Sequence, residues 1–216
     1  MKSIYCISGV GADERIFSNL SISNYNIVPV KWPAFEKSDD IRSYAKKISA
    51  QIPGENPMLL GLSFGGMLAV EIGKIRATEK IFLVSSAKTS AELPKISKLY
   101  NADKLLDMMP DFVFKSPRFA NFRMIGAKNK EEEKALAAML NSSAPGFVRW
   151  ALKAIVLWKN TAYPTNIIQL HGTADAIIPT RDVHADYWVE GGTHIMVYNR
   201  AAEVSRIIAH CLNGEK

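Results

Sequence analysis

Apolar residues along the first 87 positions form two patterns, short continuous runs and longer stretches with helical spacing. Continuous apolar runs of about five residues are typical of parallel strands, which are buried on both faces. The runs predict strands at 4–8, 25–30, 58–62 and 81–85, and the helical spacing predicts helices at 13–20, 40–51 and 64–76. Because strands and helices alternate, the sequence predicts a mostly parallel sheet covered by helices on both faces.

The pattern changes after Ala87. From 88 to 159 no strand pattern appears, whereas helical spacing predicts helices at 131–140 and 146–158. This segment carries too many large apolar residues to stay solvated as a linker, so we interpret it as a helical insertion. Strand patterns return at 166–170 and 187–190, and a last helix is predicted at 200–212 with Asn199 as its cap. The predicted domains are therefore an α/β core, 1–87 and 160–216, and a helical cap insertion, 88–159.

Composition fits one globular domain and places the charge unevenly. The 216 residues are 48% hydrophobic and 22% charged, as in ordinary folded proteins, and the net charge is +6. Residues 88–159 hold 13 basic and 7 acidic side chains, and the remainder holds 14 of each. The excess of positive charge therefore lies in the insertion. It could form a solubilising surface, or it could attract an anionic substrate or partner. We expect no nucleic-acid partner.

The two cysteines and the hydropathy pattern indicate the cellular compartment of the protein. Cys6 and Cys211 are far apart in the sequence and form neither a metal-binding spacing nor a disulfide framework. We expect buried free thiols, which favours a reducing compartment. No apolar run reaches the roughly 18 residues of a membrane span, and the N-terminal residues are typical of a first strand. The expected location is the cytoplasm.

A serine between two glycines stands where a strand is predicted to meet a helix. The segment Gly61-Leu62-Ser63-Phe64-Gly65 follows the third predicted strand and opens the next helix. This G-x-S-x-G pattern is that of a nucleophile elbow, in which the serine lies at the tip of a strained turn. The positive end of the following helix dipole would favour negative charge beside the serine. The alternative is a glycine-rich turn with an idle serine.

A serine nucleophile needs a base and a group that orients the base. His194 lies in a glycine-rich loop after the last predicted strand, and Asp175 follows the preceding strand. Both loops are expected at the carboxyl edge of the sheet, where ligands bind in open α/β folds. Asp175 could instead serve a turn or a helix cap, with Asp182 and Asp186 as rival acids. We interpret His171 as shaping its turn.

The tetrahedral intermediate of acyl transfer needs two hydrogen-bond donors for its oxyanion. The amide of Phe64, next after the serine, is one candidate. The loop after the first strand, 8–12, contains two glycines and offers the amide of Val10 as the second. The alternative is that this loop is a plain strand–helix turn.

Four motifs in this order resemble the α/β-hydrolase family, in its small, capped esterase-like branch. They are Ser8-Gly9-Val10-Gly11, the elbow, the 171–179 segment with Asp175, and Gly192-Thr193-His194. The resemblance implies an α/β-hydrolase fold with a mostly parallel sheet of about six strands flanked by helices, and the order nucleophile, acid, histidine. It also implies that the insertion is a cap over the active site. Many members have His-Gly where this chain has Ser8-Gly9.

These residues predict a serine hydrolase that cleaves carboxylic esters or thioesters through an acyl-enzyme. Ser63 would attack, His194 would transfer the proton, Asp175 would orient His194, and the amides of Val10 and Phe64 would hold the oxyanion. We expect a small-molecule acyl substrate, anionic or carrier-bound if the basic insertion attracts it, and neither a metal nor an organic cofactor. The alternatives are a lyase of the hydroxynitrile type and a non-catalytic binding protein on the same fold.

Overall fold

The computed structural model of this chain describes residues 1–94, 101–116 and 120–214. Within these residues six strands form one sheet, with the order β2-β1-β3-β4-β5-β6 and every neighbouring pair parallel. The strands are β1 (Lys2–Ile7), β2 (Tyr25–Pro29), β3 (Met58–Leu62), β4 (Lys80–Val84), β5 (Ile167–Gly172) and β6 (Tyr187–Val189). The predicted parallel sheet of about six strands is confirmed.

Nine α-helices occur in the described part of the chain. They are α1 (Ile41–Ser49), α2 (Phe64–Ile75), α3 (Ala102–Met108), α4 (Asp111–Phe114), α5 (Phe122–Ile125), α6 (Lys130–Ser142), α7 (Phe147–Leu157), α8 (Met196–Asn199) and α9 (Ala201–Asn213). Between β4 and β5 the described residues form helices and turns and no strand. The division into a core and a cap stays a prediction. Among the described residues, none of the helices combines the length and the apolar character of a membrane span.

Burial on both faces explains why the apolar pattern of β3 is continuous. On β3, Leu60 and Leu62 pack into one apolar cluster and Leu59 into another on the opposite face. Helix α9 covers the first face, and α1 and α2 cover the second. A strand buried on both faces has no polar face, so its sequence does not alternate between apolar and polar residues. Cys6 and Cys211 are both buried free thiols.

Aromatic and aliphatic side chains pack the segment between β4 and β5 onto the rest of the protein. Phe147 of α7 lies 5.0 Å from the Trp32 ring, measured between centroids. Leu140 of α6 belongs to a small apolar cluster that packs against Val10. A Cβ atom at Gly11 would lie 2.8 Å from Leu140 Cδ1, so the loop after β1 and helix α6 are in close contact.

Polar contacts fasten the same segment at two further places. The Ser142 hydroxyl of α6 donates to Asp13 Oδ2 at 3.0 Å. The Asn199 side chain donates to Gly126 O at 3.0 Å and to Glu132 Oε2 at 3.1 Å. The prediction that Asn199 caps the last helix is wrong, because its amide binds these groups and Arg200 occupies the cap position.

Candidate active site

The backbone at Ser63 adopts the strained conformation expected of an elbow. Ser63 has φ 52° and ψ −120°, a left-handed region that non-glycine residues rarely enter, and it lies directly between β3 and α2. A Cβ atom at Gly65 would overlap the carbonyl oxygens of Ile7 and Ser8, and one at Gly61 would overlap the backbone of Gly66. Both glycines are therefore required by the close approach of α2 to the ends of β1 and β3.

A second serine supports this turn. The Ser86 hydroxyl donates to the Ser63 carbonyl at 2.6 Å, and Ser63 N–H donates to Val84 O at 3.1 Å. Gly66 lies directly against the Ser86 side chain. Sequence reasoning missed Ser86. The available signal was its place just after β4, since neighbouring parallel strands end at the same edge of a sheet.

Three side chains form a continuous line of hydrogen bonds. His194 Nε2 lies 2.9 Å from Ser63 Oγ. On the other side of the ring, His194 Nδ1 lies 2.9 Å from Asp175 Oδ2 and 3.1 Å from Oδ1. His194 and Asp175 are buried, whereas Ser63 is partly exposed. With Nδ1 donating to the carboxylate, Nε2 is free to accept the serine proton.

Backbone amides hold the carboxylate of Asp175. Ile177 N–H and Ile178 N–H donate to Oδ1 at 2.9 and 3.0 Å, so Asp175 makes the turn contact that was the alternative to a catalytic role and also faces His194. Burial acts to raise the pKa of Asp175, but the charge and hydrogen bond of His194 and the Ile178 amide outweigh it, and the pKa lies below its ordinary value. Asp175 is therefore a carboxylate at neutral pH.

The structure places the rival acids elsewhere. Asp186 Oδ2 accepts the backbone N–H of Gln169 at 2.8 Å, and Asp182 Oδ2 accepts from Arg181 at 3.2 Å. Of the three aspartates considered, Asp175 is the one that contacts His194.

His171 lies behind Asp175 and is fully buried. Its Nε2 donates to Ile178 O at 2.9 Å and lies 3.5 Å from Asp175 Oδ2. Its Nδ1 is buried and has no hydrogen-bond partner among the described residues. Burial lowers the pKa of His171, and the nearby Asp175 charge opposes this only in part. The neutral ring thus braces the 175–178 turn.

We expect His171 to make the fold sensitive to mild acid. Because its pKa is lower in the folded chain, the unfolded chain takes up this proton first as the pH falls below about 6.5. The contribution of His171 to the free energy of unfolding is therefore complete above that pH and is lost as the pH falls below it. In His171→Gln, whose Nε2 can still donate to Ile178 O, the melting temperature should fall less between pH 7 and pH 5 than in the wild type.

Thermal unfolding at both pH values measures this. His184→Gln is the matched control, because His184 is exposed. It should follow the wild-type pH dependence. If the melting temperature fell equally in all three proteins, His171 would not be the source of the acid sensitivity.

The loop after β1 lies directly against Ser63. A Cβ atom at Gly9 would be 3.2 Å from Ser63 Cβ. Val10 N–H makes no hydrogen bond to any residue that the structure describes. Phe64 is the first residue of α2, where the amides lack partners within the helix. Both amides predicted as oxyanion donors thus belong to segments that flank Ser63.

A separate cavity of about 480 Å³ lies between α1 and α7. It is lined by Glu71, Trp150 and Trp158 among others, and by none of Ser63, Asp175 and His194. The candidate site is therefore defined by its hydrogen-bonded side chains and not by this cavity. In the described part of the chain, no cluster of three or more His, Cys, Asp or Glu side chains is placed to hold a metal ion.

Comparison with known proteins gives structural matches alone. No protein-family model matches the sequence, and no curated protein matches it. The esterase EaEST from Exiguobacterium antarcticum is similar with a TM-score of 0.72 at 13% identity, over 99% of this chain and 92% of the esterase. ClbQ from the colibactin NRPS/PKS pathway is similar with a TM-score of 0.59 at 15% identity, over 98% and 96%. An epoxide hydrolase from Bacillus megaterium gives 0.69 at 10% identity, over 99% and 94%.

Proposed function

We propose that this chain, which has the α/β-hydrolase fold, is a serine hydrolase that cleaves carboxylic esters or thioesters of small molecules. The observation that supports this most is the line of hydrogen bonds from Ser63 Oγ through the His194 ring to Asp175. A nucleophile, a base and an orienting carboxylate at these distances are the requirements of acyl transfer. The esterase with a similar fold adds support.

In the first half of the proposed reaction, Ser63 Oγ attacks the carbonyl carbon while His194 Nε2 accepts the hydroxyl proton. Asp175 stabilises the imidazolium that forms, because its carboxylate already bonds Nδ1. The carbonyl oxygen becomes an oxyanion that the amides of Val10 and Phe64 hold. When the intermediate collapses, the bond to the leaving oxygen or sulfur breaks and His194 returns the proton to the leaving group.

The second half releases the acyl group. A water molecule donates its proton to His194 Nε2 and attacks the carbonyl carbon of the acyl-enzyme. The same amides hold the second oxyanion, and collapse breaks the bond to Ser63 Oγ, which regains the proton. The helix α2 begins at this point, so its positive dipole end favours both oxyanions.

Apolar side chains pack beside Val10, one of the two proposed oxyanion donors. Phe114, Leu140 and Val148 form a buried cluster that packs against Val10. Three basic side chains of the insertion, Arg123, Arg149 and Lys153, are held in ion pairs with Glu133, Asp111 and Asp107. The anionic or carrier-bound substrate favoured by the net charge stays a prediction.

The proposal is tested with p-nitrophenyl esters from acetate to octanoate and with matched acyl thioesters. We expect each p-nitrophenol released to be accompanied by one carboxylic acid, because water completes the reaction. The dependence of kcat/KM on chain length defines the acyl group that the site accepts. Release of cyanide from a cyanohydrin without cleavage of any ester would instead indicate the lyase, and no turnover of any compound by folded protein would indicate a binding protein.

A further inference from the structure

Trp32 contacts both segments that carry the proposed oxyanion donors. Its indole Nε1 donates to Ala12 O at 3.0 Å, in the loop that contains Val10. The same indole stacks on the Phe64 ring, with the centroids 6.1 Å apart and the planes 25° apart. One side chain, three residues after β2, thus joins the loop after β1 to the first residue of α2.

The Ala12 carbonyl is a fixed point of that loop. It accepts a second hydrogen bond, from the buried hydroxyl of Ser8 at 3.0 Å. The Ala12 amide in turn donates to Gly9 O at 3.1 Å. Val10 lies between these bonded residues, so the direction of its N–H depends on where Ala12 is held.

Neighbouring rings fix the plane of the Trp32 indole. Tyr44 of α1 stacks on it with the centroids 6.1 Å apart, and Phe147 of α7 packs at 5.0 Å. With Phe64, three rings from three helices hold the indole. It cannot turn its N–H away from Ala12 O without disturbing all three contacts.

We propose that Trp32 is a positioning residue that sets the distance between the Val10 and Phe64 amides. This inference rests on the proposed function. Oxyanion stabilisation requires donors fixed about 2.7–3.1 Å from the oxygen of the intermediate. A shift of the Val10 amide therefore weakens binding of the transition state more than binding of the substrate, and it lowers kcat while KM changes little.

The test compares two Trp→Phe variants in the same aromatic cluster. Trp32→Phe keeps a ring but removes the donor to Ala12 O. Trp150→Phe also removes an indole donor, but one that binds Asp39 O at 2.9 Å, away from the loop. Because one whole oxyanion donor is worth about 100-fold to 1,000-fold in kcat, its displacement in Trp32→Phe should cost about tenfold. Trp150→Phe should keep the wild-type kcat.

A trifluoromethyl ketone supplies a readout that general loss of stability does not move. Its adduct with Ser63 carries an oxyanion, so the inhibition constant for Trp32→Phe should rise about as much as kcat falls. Ser8→Ala removes the second donor to Ala12 O and should shift both quantities in the same direction. It also tests the fixed loop if Trp32→Phe does not fold. The inference would be overturned if kcat and the inhibition constant were unchanged in both Ser8→Ala and Trp32→Phe. It would also be overturned if Trp32→Phe and Trp150→Phe lost the same share of kcat.

The two proposals fail in different ways. If the wild type cleaves no ester or thioester, the proposed function is wrong and this inference is wrong with it. If the wild type cleaves esters and needs Ser63, but Trp32→Phe behaves as Trp150→Phe, the positioning role alone is wrong.

Discussion

Ser63→Ala should reduce kcat for a short-chain p-nitrophenyl ester by about 10⁴-fold to 10⁶-fold. The change removes the attacking oxygen and the partner of His194 Nε2. The amides of Val10 and Phe64 remain, so a small residual rate over water is expected. Alanine carries the same Cβ as serine, so the strain at φ 52° and the melting temperature should stay close to those of the wild type.

Initial rates and thermal unfolding measure this result. Ser86→Ala is the matched control, because Ser86 supports the same turn by donating to the Ser63 carbonyl, whereas His194 bonds the Ser63 hydroxyl. Loss of that hydrogen bond should lower the free energy of unfolding by about 1 kcal/mol and leave most of the activity. Ser63→Ala with the wild-type rate would refute the nucleophile, and an equal loss in Ser86→Ala would show that the effect comes from the turn.

Asp175→Asn should lower kcat by about 10⁴-fold, for a reason that the backbone dictates. Ile177 N–H and Ile178 N–H both donate to Oδ1, so the oxygen of an asparagine amide must take that position. The NH₂ group then faces His194 Nδ1 and donates to it. His194 is forced to carry its proton on Nε2, where it donates to Ser63 and cannot act as the base.

The matched control is Asp186→Asn, which changes the same group in a neighbouring loop that bonds Gln169 N–H. Its kcat should stay close to that of the wild type, because the Asp186 carboxylate bonds the Gln169 amide and neither Ser63 nor His194. Both variants are compared by initial rates, with thermal unfolding to establish folding. Wild-type kcat in Asp175→Asn, or the same loss in Asp186→Asn, would contradict the role given to Asp175.

The central strands β3 and β4 could be predicted from the sequence because they are buried on both faces. Continuous apolar runs leave no choice of face, and the predicted strand at 58–62 agrees with Met58–Leu62 of the structure. The helix predicted at 13–20 is instead a 3₁₀ turn, Glu14–Phe17. There the Asp13 side chain bonds Arg15 and also Ser142, a contact that local sequence cannot reveal.

The residues of the candidate site could be predicted where they lie next to one another in sequence or directly after a strand. They could not be predicted where they meet only through packing of separate elements. The elbow glycines lie beside Ser63 in sequence, and the loops of Asp175 and His194 each follow a strand. The role proposed for Trp32 rests on a hydrogen bond to a residue 20 positions earlier and on rings from three helices. No spacing rule predicts such contacts, since they arise when separate elements pack.

The contacts of Asn199 and Asp13 bear on whether the segment between β4 and β5 could be exchanged as a module. Gly126 lies so close to Thr193 that a Cβ atom would overlap that side chain, and Asn199 binds Gly126 O. On the other side Ser142 binds Asp13. A chimaera joined only at the ends of the segment would leave Asn199 and Asp13 without these partners. A segment grafted in its place must therefore supply hydrogen-bond partners for both Asn199 and Asp13.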